Sequence, residues 1–275
     1  MPGPLPGKIG YPQAGPNGLN RLAWEPYGFF ERSAMGRTGK FAEEDNRYLS
    51  SRPEAARRIG RPDLFEVIDH WPLYVGVGNL GRALSVVDLV RSALSIPGHI
   101  AEFGCWRGAN LMLMAKTLEI FAPHSTKMVL GFDSFEGLRT FSPEDENAAL
   151  RHGHYKGDQS ELELMIDLYR LNGMVRIVAG DIRETLPALV KKESSLSFSL
   201  LYCDTDLYEP TRAILDCCWE RLSQGGKAVF DQWNSESYPG ETRAVREFLG
   251  TLQPGQYRME EIPFTPQPTL VVTRL

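Results

Sequence analysis

Five acidic residues stand where a short apolar run gives way to a polar or glycine-rich stretch. Glu102 lies in His99-Ile-Ala-Glu-Phe-Gly-Cys-Trp-Arg-Gly-Ala-Asn110. Asp133 closes Met128-Val-Leu-Gly-Phe-Asp133, Asp181 closes Val175-Arg-Ile-Val-Ala-Gly-Asp181, Asp204 closes Ser199-Leu-Leu-Tyr-Cys-Asp204, and Asp231 closes Lys227-Ala-Val-Phe-Asp231. After Glu102 the residues Gly104 and Gly108 bring backbone without a Cβ close to a ligand, and an apolar run from Leu111 to Ala122 follows at helical spacing. Such a strand, glycine turn and helix opening favours polar or anionic groups and suits a nucleotide-like cofactor. The middle glycine of a dinucleotide fingerprint and the Lys-Ser pair of a phosphate loop are both missing, so the glycines alone decide little. One strand-terminal Asp serves most often as a helix N-cap. Four in succession in an open parallel sheet converge at its carboxyl edge, where ligands of such folds bind.

The elements that must position these acids follow from periodicity. Leu80, Leu84, Val87, Leu89, Val90 and Leu94 predict an amphipathic helix ending at Ile96-Pro-Gly98, packed on the sheet just before its first strand. After Asp133 comes an unusually long connection from Ser134 to about Gln159, a length that is often functional in a compact domain. It holds His152 and His154, which suit a metal or a substrate pocket but in a polar loop are more often simply solvated. A helix from about Ser160 carries Glu163 at the fourth place of a capping box. Pro210 is pre-set for the first turn of a helix after Asp204, and Gly225-Gly226 turns the chain into the fifth strand. The Pro263-to-Pro268 link is too short for a helical crossover, which makes the last strand antiparallel to its neighbour. Residues 1–63 form an arm or lid rich in Pro, Gly and aromatics, and 64–275 the cofactor-binding domain.

Composition narrows the function classes. The chain has 275 residues, 42% of them hydrophobic, enough for one full core. Its net charge of -5, with Lys and Arg scattered, speaks against a nucleic-acid footprint. Apolar runs too short for a bilayer and an N-terminus unlike a signal peptide predict a soluble cytoplasmic protein with no membrane partner. Cys105, Cys203, Cys217 and Cys218 lack Cys-x-x-Cys pairing and read as small apolar residues.

Alternating strands and helices with an antiparallel last strand resemble the α/β, Rossmann-like class I S-adenosylmethionine-dependent methyltransferase sheet, mostly parallel and seven-stranded. The motifs Glu102-Phe-Gly-Cys-Trp-Arg-Gly108, Asp133-Ser-Phe-Glu-Gly-Leu138, Gly180-Asp-Ile-Arg-Glu-Thr-Leu-Pro187, Asp204-Thr-Asp-Leu-Tyr-Glu-Pro-Thr211, Gly225-Gly226 and Arg243-Ala-Val-Arg-Glu-Phe248 resemble the macrocin O-methyltransferase (TylF-type) family of natural-product sugar O-methyltransferases. The resemblance implies S-adenosylmethionine as cofactor, with Glu102, Gly104 and Gly108 beside its methionine portion, Asp133 and Ser134 near the ribose, and Asp181 with Ile182 near the adenine. It also implies a magnesium ion on Asp204, Asp231 and Gln232, although Gln232 stands where the family has an aspartate.

On that resemblance the acceptor is a sugar hydroxyl, a poor acid that must be held in line with the methyl group while its proton is removed. Chelation to a hard cation would acidify it, with Asp204 as the catalytic base. Two other readings stay open: a metal-independent methyltransferase acting on a hydroxyl or amine, and a noncatalytic cofactor-binding protein. The aromatic arm suggests a homo-oligomer.

Overall fold

The computed structural model describes residues 39–139, 141–146 and 152–275. The chain parts into two compact units, Met1–Asn46 and Arg47–Leu275, and the second is described below. Most of the Pro-, Gly- and aromatic-rich arm expected over residues 1–63, namely residues 1–38, lies outside the described residues.

Helices α1 (Gly39–Arg58), α2 (Leu64–Asp69), α3 (Trp71–Tyr74) and α4 (Val77–Ala93) precede β1 (His99–Phe103). Next come α5 (Ala109–Phe121), β2 (Val129–Asp133), α6 (Gln159–Leu168), β3 (Val175–Ala179), α7 (Ile182–Lys192) and β4 (Phe198–Cys203). The chain ends with α8 (Tyr208–Cys218), β5 (Leu222–Phe230), α9 (Pro239–Leu249), β6 (Tyr257–Ile262) and β7 (Thr269–Arg274). The seven strands lie in the order β3-β2-β1-β4-β5-β7-β6. Strands β1 to β5 pair in parallel and β7 runs antiparallel to both neighbours, as the short Pro263-to-Pro268 link requires.

Side chains alternate across each strand. Ala101 and Phe103 of β1 enter a core with Phe132, Leu201, Ile214, Val245 and Phe248, under α7, α8 and α9. Ile100 joins Tyr202, Val229 and Leu111 on the other face, under α4, α5 and α6. Glu102 shares that second face by alternation. It is 1% exposed.

Three local expectations are corrected. In α4 the buried stripe is Val86, Leu89, Val90 and Ala93, while Leu84 is exposed. At ~100° per residue Leu84 falls on the side opposite that stripe. The N-cap of α6 is Asp158, whose Oδ1 accepts from the amides of Ser160 at 3.0 Å and Glu161 at 3.1 Å. Ser160 therefore already lies in the first turn, and Glu163 accepts instead from Gln159 Nε2 at 2.8 Å. Gly225 and Gly226 lie inside β5 rather than before it, at a register shift between the Phe198–Leu222 and Leu200–Lys227 pairs. Gly225, at φ 81°, accommodates the irregularity.

The turns after β1 and β4 press against each other. Gly104 donates its amide to Phe132 O at 2.8 Å, and Asp204 donates its own to Phe103 O at 2.8 Å. A Cβ on Gly104, at φ +88°, would stand 1.8 Å from Asp204 O. Gly60 has a similar φ of +69° but nothing within 4 Å of its Cβ position. Both alanine substitutions carry a left-handed backbone cost of about 1–2 kcal/mol, and only Gly104→Ala adds a collision. Chemical denaturation should show Gly104→Ala losing clearly more stability than Gly60→Ala; equal losses would mean that the two turns do not touch.

Candidate functional site

The carboxyl ends of β1 to β5 surround a cavity of about 320 Å³. Of the expected residues, Gly104, Asp133, Ser134, Asp181, Ile182, Asp204 and Gln232 line it. Glu102, Gly108 and Asp231 lie behind that lining. Gly108 is the N-cap of α5 at φ 80°, where a Cβ would collide with Leu162, so its need for glycine is one of turn and packing.

On the side of β1 to β3 the acids organise backbone. Asp133 accepts from the amides of Trp106 at 2.7 Å and Phe135 at 2.6 Å, fixing the glycine turn and the start of the long connection. Burial raises its pKa and those amides oppose the rise. Asp181 caps α7 through the amide of Arg183 at 2.9 Å and pairs with the Arg183 guanidinium at 2.6 Å, which holds its carboxyl below the usual range. The N-cap role and a place in the cavity wall are thus both true of Asp181. Glu102 is the exception. Cys105 Sγ donates to the Glu102 backbone carbonyl at 3.8 Å, the side chains of Cys105 and Asn110 lie close enough to favour the charged form of Glu102, and its buried Oε2 has no partner. Burial, with Asp204 nearby, pushes its pKa up to about 8.

On the side of β4 and β5 the acids crowd together. Arg82, from α4, places Nη2 2.8 Å from Asp231 Oδ2 and Nη1 3.7 Å from Asp204 Oδ2, and also donates to Gln267. Burial works against the guanidinium's charge, but Asp231 and Asp204 more than compensate. Burial pushes Asp231 far up, reinforced by Asp204 and Glu241 and opposed by Arg82, and its Oδ1 has no hydrogen-bond partner; burial raises Asp204 too, and Arg82 opposes that rise. Asp206, at φ 63°, is pushed up to about 8 by burial and by Asp204, and takes a hydrogen bond from Gln232. Glu241 accepts from the Gln232 amide at 2.8 Å and has no partner for Oε2.

The long connection closes over this edge. Gly137 packs on the carbonyls of Gly153 and His154, and Leu138 exchanges backbone hydrogen bonds with both. Asp145 accepts from the Tyr208 amide at 2.9 Å, which ties the loop to α8, while the hydroxyls of Tyr155 and Tyr238 meet at 2.8 Å. His152 and His154 are exposed and do not line the cavity. Arg82, Gln267 and Glu241 carried no signal in the sequence, because each belongs to a helix or loop with no recognisable motif. Asp206 was visible beside Asp204, but not its left-handed backbone.

Two implied ligands can be tested against these side chains. A cofactor with an ammonium group suits a cavity floored by a glycine too crowded for any Cβ, with an acid that has an orphaned oxygen buried behind it. Magnesium does not suit the donor set as folded. Gln232 is neutral with its amide on Asp206, and a guanidinium already neutralises Asp231 and Asp204. Among the described residues no group of three or more His, Cys, Asp or Glu could hold a metal ion.

The sequence model of the macrocin-O-methyltransferase (TylF) family matches residues 74–253. The chain is similar to the 8-demethyl-8-(2,3-dimethoxy-alpha-L-rhamnosyl)-tetracenomycin-C 4'-O-methyltransferase of Streptomyces olivaceus, 27% identical over 175 residues, which cover 59% of this chain and 64% of that protein, just under two thirds. It is similar to the demethyldecarbamoylnovobiocin O-methyltransferase of Streptomyces niveus, 27% identical over 204 residues, covering 70% and 71% of the two chains. Among solved structures it is similar to the calicheamicin methyltransferase CalS11, with a TM-score of 0.69 and 25% identity over 88% of this chain and 95% of that one. The fold is that of class I methyltransferases.

The elevated pKa of Glu102 has a consequence for stability. Its folded pKa of about 8 lies above an unfolded value near 4.5, so the protonated acid is tolerated at low pH. Stability is then lost as pH rises from the unfolded value through the folded one. Glu102→Gln removes that loss. The variant should melt with the parent at pH 5 and several degrees above it at pH 8; a difference independent of pH would show that Glu102 is ionised in the free protein.

Proposed function

The chain belongs to the macrocin-O-methyltransferase (TylF) family, and from that premise we propose that it transfers a methyl group from S-adenosylmethionine to a hydroxyl of a sugar in natural-product biosynthesis. The observation that carries this reading is the convergence of five acids on one edge of the sheet, with Asp133, Asp181 and Asp204 lining a cavity floored by Gly104 and Glu102 and Asp231 buried behind it. The relatives support the acceptor class. One is described as acting on a rhamnosyl-tetracenomycin, and CalS11 has also been described, in its apo structure at a TM-score of 0.61 and 26% identity, as a TDP-rhamnose 3'-O-methyltransferase.

In this reading Glu102 receives the charge of the cofactor's ammonium group across Gly104, Asp133 and Ser134 face the ribose, and Asp181 and Ile182 the adenine. When bound, the cofactor supplies an electrophilic methyl carbon whose bond to sulfur breaks as the acceptor oxygen attacks, the electron pair remaining on sulfur. Asp204 takes the hydroxyl proton. It is partly exposed to the cavity, and Arg82 opposes the rise in its pKa that burial causes, which makes Asp204 the member of the cluster best placed to act as base. Tyr155, Leu138 and Arg139 of the long connection face the acceptor side and exclude water. The exposed apolar side chains of Leu73, Tyr74 and Val77 support a homo-oligomer. Among the described residues no helix is long and apolar enough to cross a membrane.

Two outcomes test the reading. Titration with S-adenosylhomocysteine should show binding that releases close to one proton at pH 7 and almost none at pH 9, because Glu102 is mostly protonated when free and ionises beside an ammonium group. Calorimetry in buffers of different ionisation enthalpy measures this, and the absence of binding would end the cofactor assignment. Asp204→Asn should lower kcat by about a hundred-fold or more, as loss of a positioned base does, while the cofactor's Kd stays within a few-fold. Unchanged turnover would remove Asp204 from the chemistry.

A further inference from the structure

We propose that Arg82 is the permanent cation of the acceptor site and does there the positioning that a divalent ion would do, so that the enzyme works without a metal. The inference rests on the methyltransferase reading, and four observations carry it. The guanidinium stands on both carboxylates expected to hold an ion, 2.8 Å from Asp231 and 3.7 Å from Asp204. Asp231 is 1% exposed on its side chain, so Arg82 meets it out of water, where a bound charge is strongly held. The third position of the expected donor set is Gln232, which brings no charge. Arg82 itself is held in place: Gln267, in the link between β6 and β7, accepts from it.

The placement of Arg82 is built into two distant parts of the chain. The stripe Val86, Leu89, Val90 and Ala93 packs α4 in one core with Leu200, Tyr202 and Val229 of β4 and β5, which sets the start of α4 over the carboxyl ends of those strands. Gly81 then lets the Pro263-to-Pro268 link lie directly on the helix, for a Cβ there would stand 2.4 Å from Phe264 O. That contact brings Gln267 to Arg82. A guanidinium is a fixed cation with directed donors, suited to orienting carboxylates. It is a weaker acidifier of a coordinated hydroxyl than a metal ion, so the proton must pass to Asp204 as the oxygen–carbon bond forms and the carbon–sulfur bond breaks. Arg82 is a positioning residue in this scheme. It holds Asp204 toward the acceptor and supplies the charge that the two aspartates need.

The test combines metal binding with kinetics. Manganese followed by electron paramagnetic resonance should show no specific site on the parent at millimolar ion, and turnover should resist a chelator. The double variant Arg82→Ala with Gln232→Asp, which vacates the guanidinium and restores a third acid, should acquire a manganese site. That arm reads the site without turnover. Arg82→Ala alone should lose about a hundred-fold or more in kcat with the Kd for S-adenosylhomocysteine changed by less than threefold. Part of the loss should return on adding guanidinium chloride at concentrations that leave the fold intact, and Arg82→Lys should retain more activity than Arg82→Ala. A manganese site in the parent that disappears in Asp231→Asn, or activity abolished by chelator and restored by magnesium, would overturn the proposal. So would an Arg82→Ala variant with the parent's kcat. Parent protein that binds no S-adenosylhomocysteine would instead defeat the methyltransferase reading, leaving the manganese result to speak for Arg82 alone.

Discussion

Several carboxyl groups are held out of water at one edge of the sheet, and one guanidinium faces two of them. Ionised groups are costly to bury, by several kcal/mol each even after relaxation, unless a counter-charge and hydrogen bonds meet them. Asp204 and Asp231 have Arg82 as counter-charge and Glu102 and Glu241 do not, while Glu102, Asp231 and Glu241 each leave one buried oxygen without a hydrogen-bond partner. Burial disfavours their charged forms: Glu102 and Asp206 are pushed up to about 8, and Asp231 and Glu241 well above the ordinary carboxylate range. A site in this condition is poised for positive charge. An ammonium or sulfonium group entering the cavity meets acids that ionise as it arrives, and stability withheld from the empty protein becomes binding energy.

The fold supplies this arrangement through strand ends and turns. Parallel pairing of β1 to β5 brings their carboxyl ends to one side, and the amides there are used to hold neighbouring turns, Gly104 on Phe132 O, Asp204 on Phe103 O and Gly180 on Asp133 O. Asp133 extends the same scheme with its side chain by pinning Trp106 and Phe135. The long connection after β2 is then tied to α8 through Asp145 and to the loop after β5 through Tyr155 and Tyr238. The two sides of the cavity are therefore coupled through backbone, so a substitution at Gly104 or Asp133 disturbs both.

The strand-terminal acids were legible in the sequence because each ends a run whose period changes at that residue, and the antiparallel last strand was legible from a link too short to cross over. Local competition hid the rest. Ser160 looked like an N-cap, but the carboxylate of Asp158 two residues earlier takes the helix amides. Leu84 looked like part of the buried stripe of α4, yet the packing selected Val86 and Ala93. Gly225-Gly226 looked like a turn and became an irregularity inside β5. Gln232 announced that the donor set for an ion was one charge short. Nothing in the sequence announced Arg82, since the polar side of a helix offers no pattern that distinguishes a solvated arginine from one aimed at two aspartates far along the chain.

The most direct measurement is a crystal structure of the complex with S-adenosylhomocysteine. The ligand's amino group should lie over Gly104 facing Glu102, its ribose beside Asp133, and Arg82 should still stand between Asp204 and Asp231. A ligand lying elsewhere, or one that leaves Glu102 Oε2 remote from any positive group, would contradict this placement.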